Sequence, residues 1–238
     1  METHLIEARQ DGVMALTMNR PKARNALSVE MSSQMLDALR RAQLDSDIRA
    51  VVLTGAGGAF CAGGDVKAMA AGRDAKLDVT AKANALRDRA EVSRLLYEMP
   101  KPTIAVIPGA AAGAGLALAM ACDFRIASAN AKLTLAFAKV GLSGDYGASF
   151  FLTQIVGASR ARELLMLSPL LSADEALALG LLHRVFPQES FAGAAANFVA
   201  TLAQGPSVAL GYIKQNINLA VRADLHSSIH GEALHQAL

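Results

Sequence analysis

The sequence predicts an α/β fold built on a mostly parallel sheet, and three observations predict it. A short β-branched run leads straight into a glycine-rich loop twice, at residues 50–54 (AVVLT) and at Thr103–Ile107 (TIAVI). After the second run a helix opens directly out of the small-residue stretch. Strand, glycine loop and helix in succession is the pattern of parallel strands joined by crossovers. From Ser159 onward the apolar residues recur at helical spacing, so the second half is expected to be mainly helical.

Taken in order, residues 5–7 and 13–18 flank Asp11-Gly12, a two-residue turn that predicts a β-hairpin. Ser28 precedes Met31, Met35, Leu39 and Ala42; a capping hydroxyl followed by one apolar face predicts a helix. The continuous run at 50–54 reads as a strand covered on both faces. Residues 124–127 read as a further strand. Ser172 to Glu175 has the form of a capping box, with Gly180 placed to end that helix. A helix over 190–204 should stop at Gly205-Pro206, and another should start near Ser207.

Composition excludes several function classes. A net charge of +2, aromatics at 5% and no tryptophan provide neither the basic field nor the stacking surface of a nucleic-acid binder. Residues 103–122 are uncharged and contain Gly109 and Gly113 at G-x-x-x-G spacing. Pro108 interrupts that stretch, and its alanines and glycines supply little insertion energy, so it is not read as a membrane span. The two cysteines, Cys61 and Cys122, have neither metal-ligand spacing nor the density of a disulfide scaffold. With no apolar signal segment at the N-terminus, a reducing cytoplasm is the expected location.

The glycine loops match no phosphate-binding motif. Gly113-Ala-Gly115 is followed three places on by Leu118, and Gly55-Ala-Gly57 by Phe60, so the dinucleotide fingerprint fails; no P-loop and no G-x-S-x-G occur. Lone glycine pairs often serve only tight turns. Two such loops together can instead bring backbone N–H groups to one ligand atom, as an oxyanion hole requires.

Five segments resemble the enoyl-CoA hydratase/isomerase (crotonase) superfamily: residues 18–31 (MNRPKARNALSVEM), 58–69 (GAFCAGGDVKAM), 108–128 (PGAAAGAGLALAMACDFRIAS), 136–149 (AFAKVGLSGDYGAS) and 172–187 (SADEALALGLLHRVFP). They cover nearly the whole chain in family order. The resemblance implies a crotonase-like spiral of ββα units over residues 1–190. A helical region over 191–238 would serve trimer or dimer-of-trimers assembly. It implies an acyl-CoA thioester substrate, with coenzyme A part of the substrate, and no metal or redox cofactor. The amides of Gly64 and Ala114 would form the oxyanion hole; Ala114 stands where relatives usually have glycine. Lys22, Ala23 and Ala62 match positions along the coenzyme A path, and Lys67 one near its phosphates. Asp65 is expected to brace its loop. Relatives continue past the position of Leu238 with helices that help close the acyl pocket, so acyl length is left open.

The two glutamates that hold water in hydratases of this family correspond to Ala117 and Phe137, neither of which can carry a proton. Asp145, four residues after Gly141, matches the single acid of relatives that shift double bonds. The resemblance therefore favours double-bond isomerisation with Asp145 as the base, over hydration with an atypical acid or non-catalytic acyl-CoA binding. Asp145 also fits a plain turn between Gly144 and Gly147, and Tyr146 either a pocket wall or a hydrogen-bond donor. His226, His230 and His235 lack a ligand set of metal spacing and are expected on a solvated helix face. His183 should pack or hydrogen-bond at a helix end. Cys61 has no histidine partner for a nucleophilic role.

Overall fold

The hairpin forms as the turn requires: β1 (Leu5–Gln10) pairs antiparallel with β2 (Val13–Met18) around Asp11 and Gly12, whose φ values are 49° and 76°. Alternation along β2 buries Met14, Leu16 and Met18. These and all other coordinates come from a computed structural model that describes residues 3–72 and 77–238. α1 (Val29–Leu44) starts where the Ser28 hydroxyl accepts the Met31 N–H at 3.0 Å, and it buries Met31, Met35, Leu39 and Ala42 on one face.

β3 (Ala50–Gly55), α2 (Val66–Ala70), α3 (Val79–Glu98) and β4 (Thr103–Ile107) follow, then β5 (Ala111–Ala112), α4 (Ala114–Ala121), β6 (Phe124–Ser128) and β7 (Lys132–Thr134). α5 (Ala148–Leu167), β8 (Leu171–Ser172), α6 (Ala173–Ala178), β9 (Arg184–Phe186), α7 (Phe191–Ala203), α8 (Ser207–Ala220) and α9 (Leu225–Ala237) complete the chain. The large sheet has the order β1-β2-β3-β4-β6-β9, parallel throughout except at β1. A small sheet, β5-β7-β8, is joined by a bridge from Cys61 to Ala111. Each of three successive turns therefore contributes a strand to the large sheet, a short piece to the small one, and a helix: β3–Cys61–α2, β4–β5–α4 and β6–β7–α5. This is the expected spiral of ββα units.

Helix α4 is buried at all eight positions, which explains its composition. A Cβ on Gly115 would lie 2.5 Å from the Cys61 carbonyl oxygen, so only glycine lets the helix lie against that loop. α7 covers the other face of the large sheet, where Phe191, Ala195, Val199 and Ala203 meet Ala50, Val52, Ile104 and Ile126.

Several elements differ from the sequence reading. Helical structure begins at Ala148 rather than Ser159, because α5 continues through a break at Gly157 (φ 75°, ψ 160°). The 20-residue α3 carries exposed charges at Lys82, Arg87, Asp88 and Arg94 and only a narrow buried stripe at Val92, Leu95 and Leu96, so its pattern alone does not announce it. β9 is three residues long and extends the sheet inside a region read as helical. The cap of α6 matches expectation: the Ser172 hydroxyl accepts the Glu175 N–H at 3.2 Å, and the Glu175 carboxylate accepts the Ser172 N–H at 2.8 Å.

Candidate active site

The two glycine loops meet. A Cβ on Gly63 would lie 2.8 Å from the Ala112 carbonyl oxygen and 3.3 Å from the Ala114 nitrogen. Gly63 takes φ +94° and is buried, a conformation and a contact that only glycine accepts without strain. Its carbonyl accepts the Leu27 N–H at 2.8 Å, which ties the loop to the start of α1. Among the described residues the amides of Gly64 and Ala114, one on each side of this contact, donate to no protein acceptor. Ala114 opens α4, so its N–H is one of those a helix leaves unpaired at its first turn.

Asp65 braces this loop, as expected. Its Oδ1 accepts the Ala68 N–H at 3.1 Å, capping α2, and its Oδ2 accepts from the Arg20 guanidinium at 3.0 Å. Asn25 does related work that the sequence did not announce. Fully buried at φ 57°, it donates through Nδ2 to the carbonyls of Ala56 and Ala59 at 2.8 and 2.9 Å and accepts the Arg20 N–H. Asparagine tolerates that left-handed conformation better than most residues.

Gly64 and Asp145 line one cavity of about 390 Å³, together with Leu27, Ser32, Leu86 and Arg89. Burial pushes the Asp145 carboxyl up to about 6, against a smaller opposing pull from the Arg89 guanidinium. Its Oδ1 is buried with no hydrogen-bond partner among the described residues. The Tyr146 hydroxyl stands 3.2 Å from the Ser32 hydroxyl, so Tyr146 is both a wall and a hydrogen-bonding group. Ser32 and Arg89 were not foreseen from sequence, where each reads as one more polar residue.

The other expected residues sit around this cavity rather than in it. Ala114 is buried, with its nitrogen 3.3 Å from where a Cβ on Gly63 would lie. Lys22 and Ala23 form a short 3-10 turn, and Ala62 donates its N–H to the Arg24 carbonyl at 2.9 Å, holding that turn beside the loop. Lys67 is exposed on α2. Ala117 and Phe137 are both buried. The Phe137 ring comes within 3.8 Å of where a Cβ on Gly113 would be and 4.0 Å of the same point on Gly144. It fills the space between the α4 loop and the Asp145 loop with carbon.

Residues 8–237 match the model of the enoyl-CoA hydratase/isomerase family. The chain belongs to that family. It is 38% identical over 234 residues to a 1,2-epoxyphenylacetyl-CoA isomerase of Escherichia coli (strain K12), covering 96% of this chain and 87% of that one. It is 33% identical over 229 residues to 4-chlorobenzoyl coenzyme A dehalogenase-2 of an Arthrobacter species, covering 96% and 83%. Among solved structures, an enoyl-CoA hydratase from Polaromonas sp. JS666 superimposes with a TM-score of 0.91 at 33% identity, covering 98% of this chain and 90% of that chain. These family members are acyl-CoA enzymes of differing reaction, so membership fixes the thioester context and leaves the chemistry to the site.

Other groups have structural work. His183 Nδ1 accepts the Arg125 N–H at 3.1 Å, and burial lowers its imidazole to about 4. Burial raises the Cys61 thiol to about 12, so it stays protonated and unreactive. His226 and His230 are exposed on α9, and the His235 ring stacks on Tyr212 at 4.5 Å. Among the described residues no helix is long and apolar enough to cross a membrane.

Proposed function

We propose that the protein shifts a carbon–carbon double bond in an enoyl-CoA thioester, with Asp145 as the only proton carrier. The observation behind this reading is the half-buried Asp145 carboxyl, raised to about 6, in the same cavity as Gly64. As a carboxylate, Asp145 removes a proton from C2 of the acyl chain. The negative charge passes to the thioester oxygen, which accepts hydrogen bonds from the Gly64 and Ala114 amides. The carboxylic acid then returns its proton to C4, and the double bond moves. A carboxyl near 6 suits a base working around neutral pH. The step uses no metal or redox cofactor. Lys22, Ala23, Ala62 and Lys67 are proposed to follow the coenzyme A portion.

Hydration is the competing chemistry, favoured by the 33% identity to the hydratase from Polaromonas sp. JS666. Against it, the family resemblance matches Ala117 and Phe137, both buried, to the paired acids of hydratases, and neither a methyl nor a phenyl group carries a proton. We further propose a cytoplasmic location, which suits two free, buried cysteines. Assembly is proposed as a trimer or dimer of trimers.

Asp145→Asn tests the reaction. Isomerisation of a 3-enoyl-CoA, and exchange of the C2 hydrogen of a saturated acyl-CoA for deuterium, should both fall by about two to four decades. Thioester binding, measured by calorimetry, should persist. Wild-type turnover by a folded, ligand-binding Asp145→Asn would remove Asp145 as the base. Hydration of a 2-enoyl-CoA without isomerisation by the wild-type protein would select the hydratase reading. Binding with neither activity would select an acyl-CoA-binding protein.

A further inference from the structure

The loop that carries Asp145 is built around one residue in an unfavourable conformation. The Asp145 carbonyl accepts the Ala148 N–H at 3.0 Å, so residues 145–148 form a turn whose two central residues are Tyr146 (φ 50°) and Gly147 (φ 79°). Positive φ at both central positions is the signature of a primed turn, which normally recruits asparagine, aspartate or glycine. Gly144 before it also has positive φ, 113°. The glycines accept these angles freely. Tyr146 does not, and a side-chain-bearing residue held left-handed persists only where its surroundings fix it.

Two contacts supply that anchorage. The Tyr146 ring is buried, at 5% exposure, and its hydroxyl meets the buried Ser32 hydroxyl at 3.2 Å across 114 residues of sequence. Ser32 belongs to α1, whose Ser28 cap and buried methionine face fix it against the core. Asp145 is the first residue of the turn, and its buried Oδ1 has no hydrogen-bond partner among the described residues. With no hydrogen bond from a described residue at that oxygen, the aim of the carboxylate depends on the backbone of the turn.

We infer that the Ser32–Tyr146 hydroxyl pair is a positioning device, which locks the turn and thereby aims the Asp145 carboxylate into the cavity that Gly64 shares. This rests on Asp145 being the base. Among the described residues, Asp65 near α2, Lys82 and Arg89 on α3, Cys61, and Tyr146 itself are the charged and titratable groups around this loop. Ser32→Ala removes none of them, and Tyr146→Phe removes only a phenol that burial keeps protonated at neutral pH.

Tyr146→Phe keeps the ring and removes the hydroxyl; Ser32→Ala removes its partner. In either variant kcat for isomerisation should fall about ten- to a hundredfold, the scale of a small misplacement of a reacting group, while KM changes less than about twofold. The double variant should be no worse than the worse single one, because both remove the same contact. The acid limb of the kcat/KM profile, which reports the base of the free enzyme and is expected near 6 from the burial of Asp145, should move down towards the ordinary carboxylate range as the loosened side chain reaches water. Ser32→Thr, which keeps a hydroxyl, should retain most of the activity. A wild-type kcat in both single variants overturns the inference, and so does a loss of kcat with the acid limb unmoved, which would mark a structural contact only. Asp145→Asn run alongside separates the two levels: if it is inactive while Tyr146→Phe is fully active, the base stands and the positioning role falls. If Asp145→Asn is itself active, the underlying reading falls.

Discussion

At the scale of single residues, Gly63 and Gly64 are adjacent glycines required for different reasons. Gly63→Ala forces a methyl against the Ala112 carbonyl oxygen at 2.8 Å and a side chain into φ +94°. It should cost about 1–3 kcal/mol of stability, visible as a lowered denaturant midpoint. Gly64→Ala meets only the Met69 sulfur, at 3.8 Å, and its φ is not positive. That variant should fold with an unchanged midpoint and still lose about a hundredfold in kcat/KM, because the methyl enters the proposed thioester site. Asp145 makes a similar point about charge. Its folded-state value, about 6 against an ordinary 3.8, is raised by burial. The folded state therefore favours the protonated form, and the stability linked to it is lost as pH rises from about 4 through 6. Asp145→Asn should be more stable than wild type at pH 8, by up to about 3 kcal/mol, and equal to it at pH 3. Thermal melts at the two pH values read this directly, and equal melting differences at both would contradict it.

At the scale of elements, α4 and α8 are held by opposite means. α4 lies flush against the Cys61 loop through Gly115, and Gly115→Ala should destabilise by about 1–3 kcal/mol, the range of overpacking, because backbone cannot yield as a flexible side chain does. α8 is pinned by a charge. Lys214 Nζ, almost fully buried, donates to the Asp123 carboxylate at 2.8 Å and to the Leu96 carbonyl at 2.7 Å, while Asp123 also accepts the Thr103 N–H at 2.8 Å. Lys214→Met leaves that carboxylate without its cation and should cost about 3–5 kcal/mol; the paired change Lys214→Met with Asp123→Leu should cost clearly less. Urea unfolding of the single and paired variants gives the comparison. Asp123, at the end of the small-residue stretch, thus anchors β4 to α8.

At the scale of the molecule, Val208, Ile213 and Ile217 on α8 and Leu225, Ile229 and Leu234 on α9 are all exposed in the single chain. Apolar side chains gathered on neighbouring helices favour association, which supports the trimer proposal above. Light scattering at micromolar concentration should give the mass of a trimer or hexamer of the 24.8 kDa chain; a persistent monomer would count against it. Charged substitutions at Ile213 and Ile217 should lower that mass if α8 lies in the contact.

The sequence by itself determined whatever is encoded over a few neighbouring residues. Asp11-Gly12 specifies its turn, Ser28 and Ser172 their caps, the β-branched run of β4 its strand, and the small residues of α4 a helix that can be buried on every side. Family resemblance added the identity of the candidate site residues, and in Asp145 it pointed to the carboxylate that folding buries beside Gly64. Only the tertiary structure decided the rest. Ser32 and Tyr146, Asn25 and Ala56, and Lys214 and Asp123 lie 114, 31 and 91 residues apart along the chain, and no local pattern joins them. β9 is a strand because the edge of β6 offers it partners, a long-range pairing that outweighs the helical spacing around it. A buried lysine or serine has the same letter as a solvated one. Its role follows from what the fold packs around it, and desolvation acts only once that packing exists.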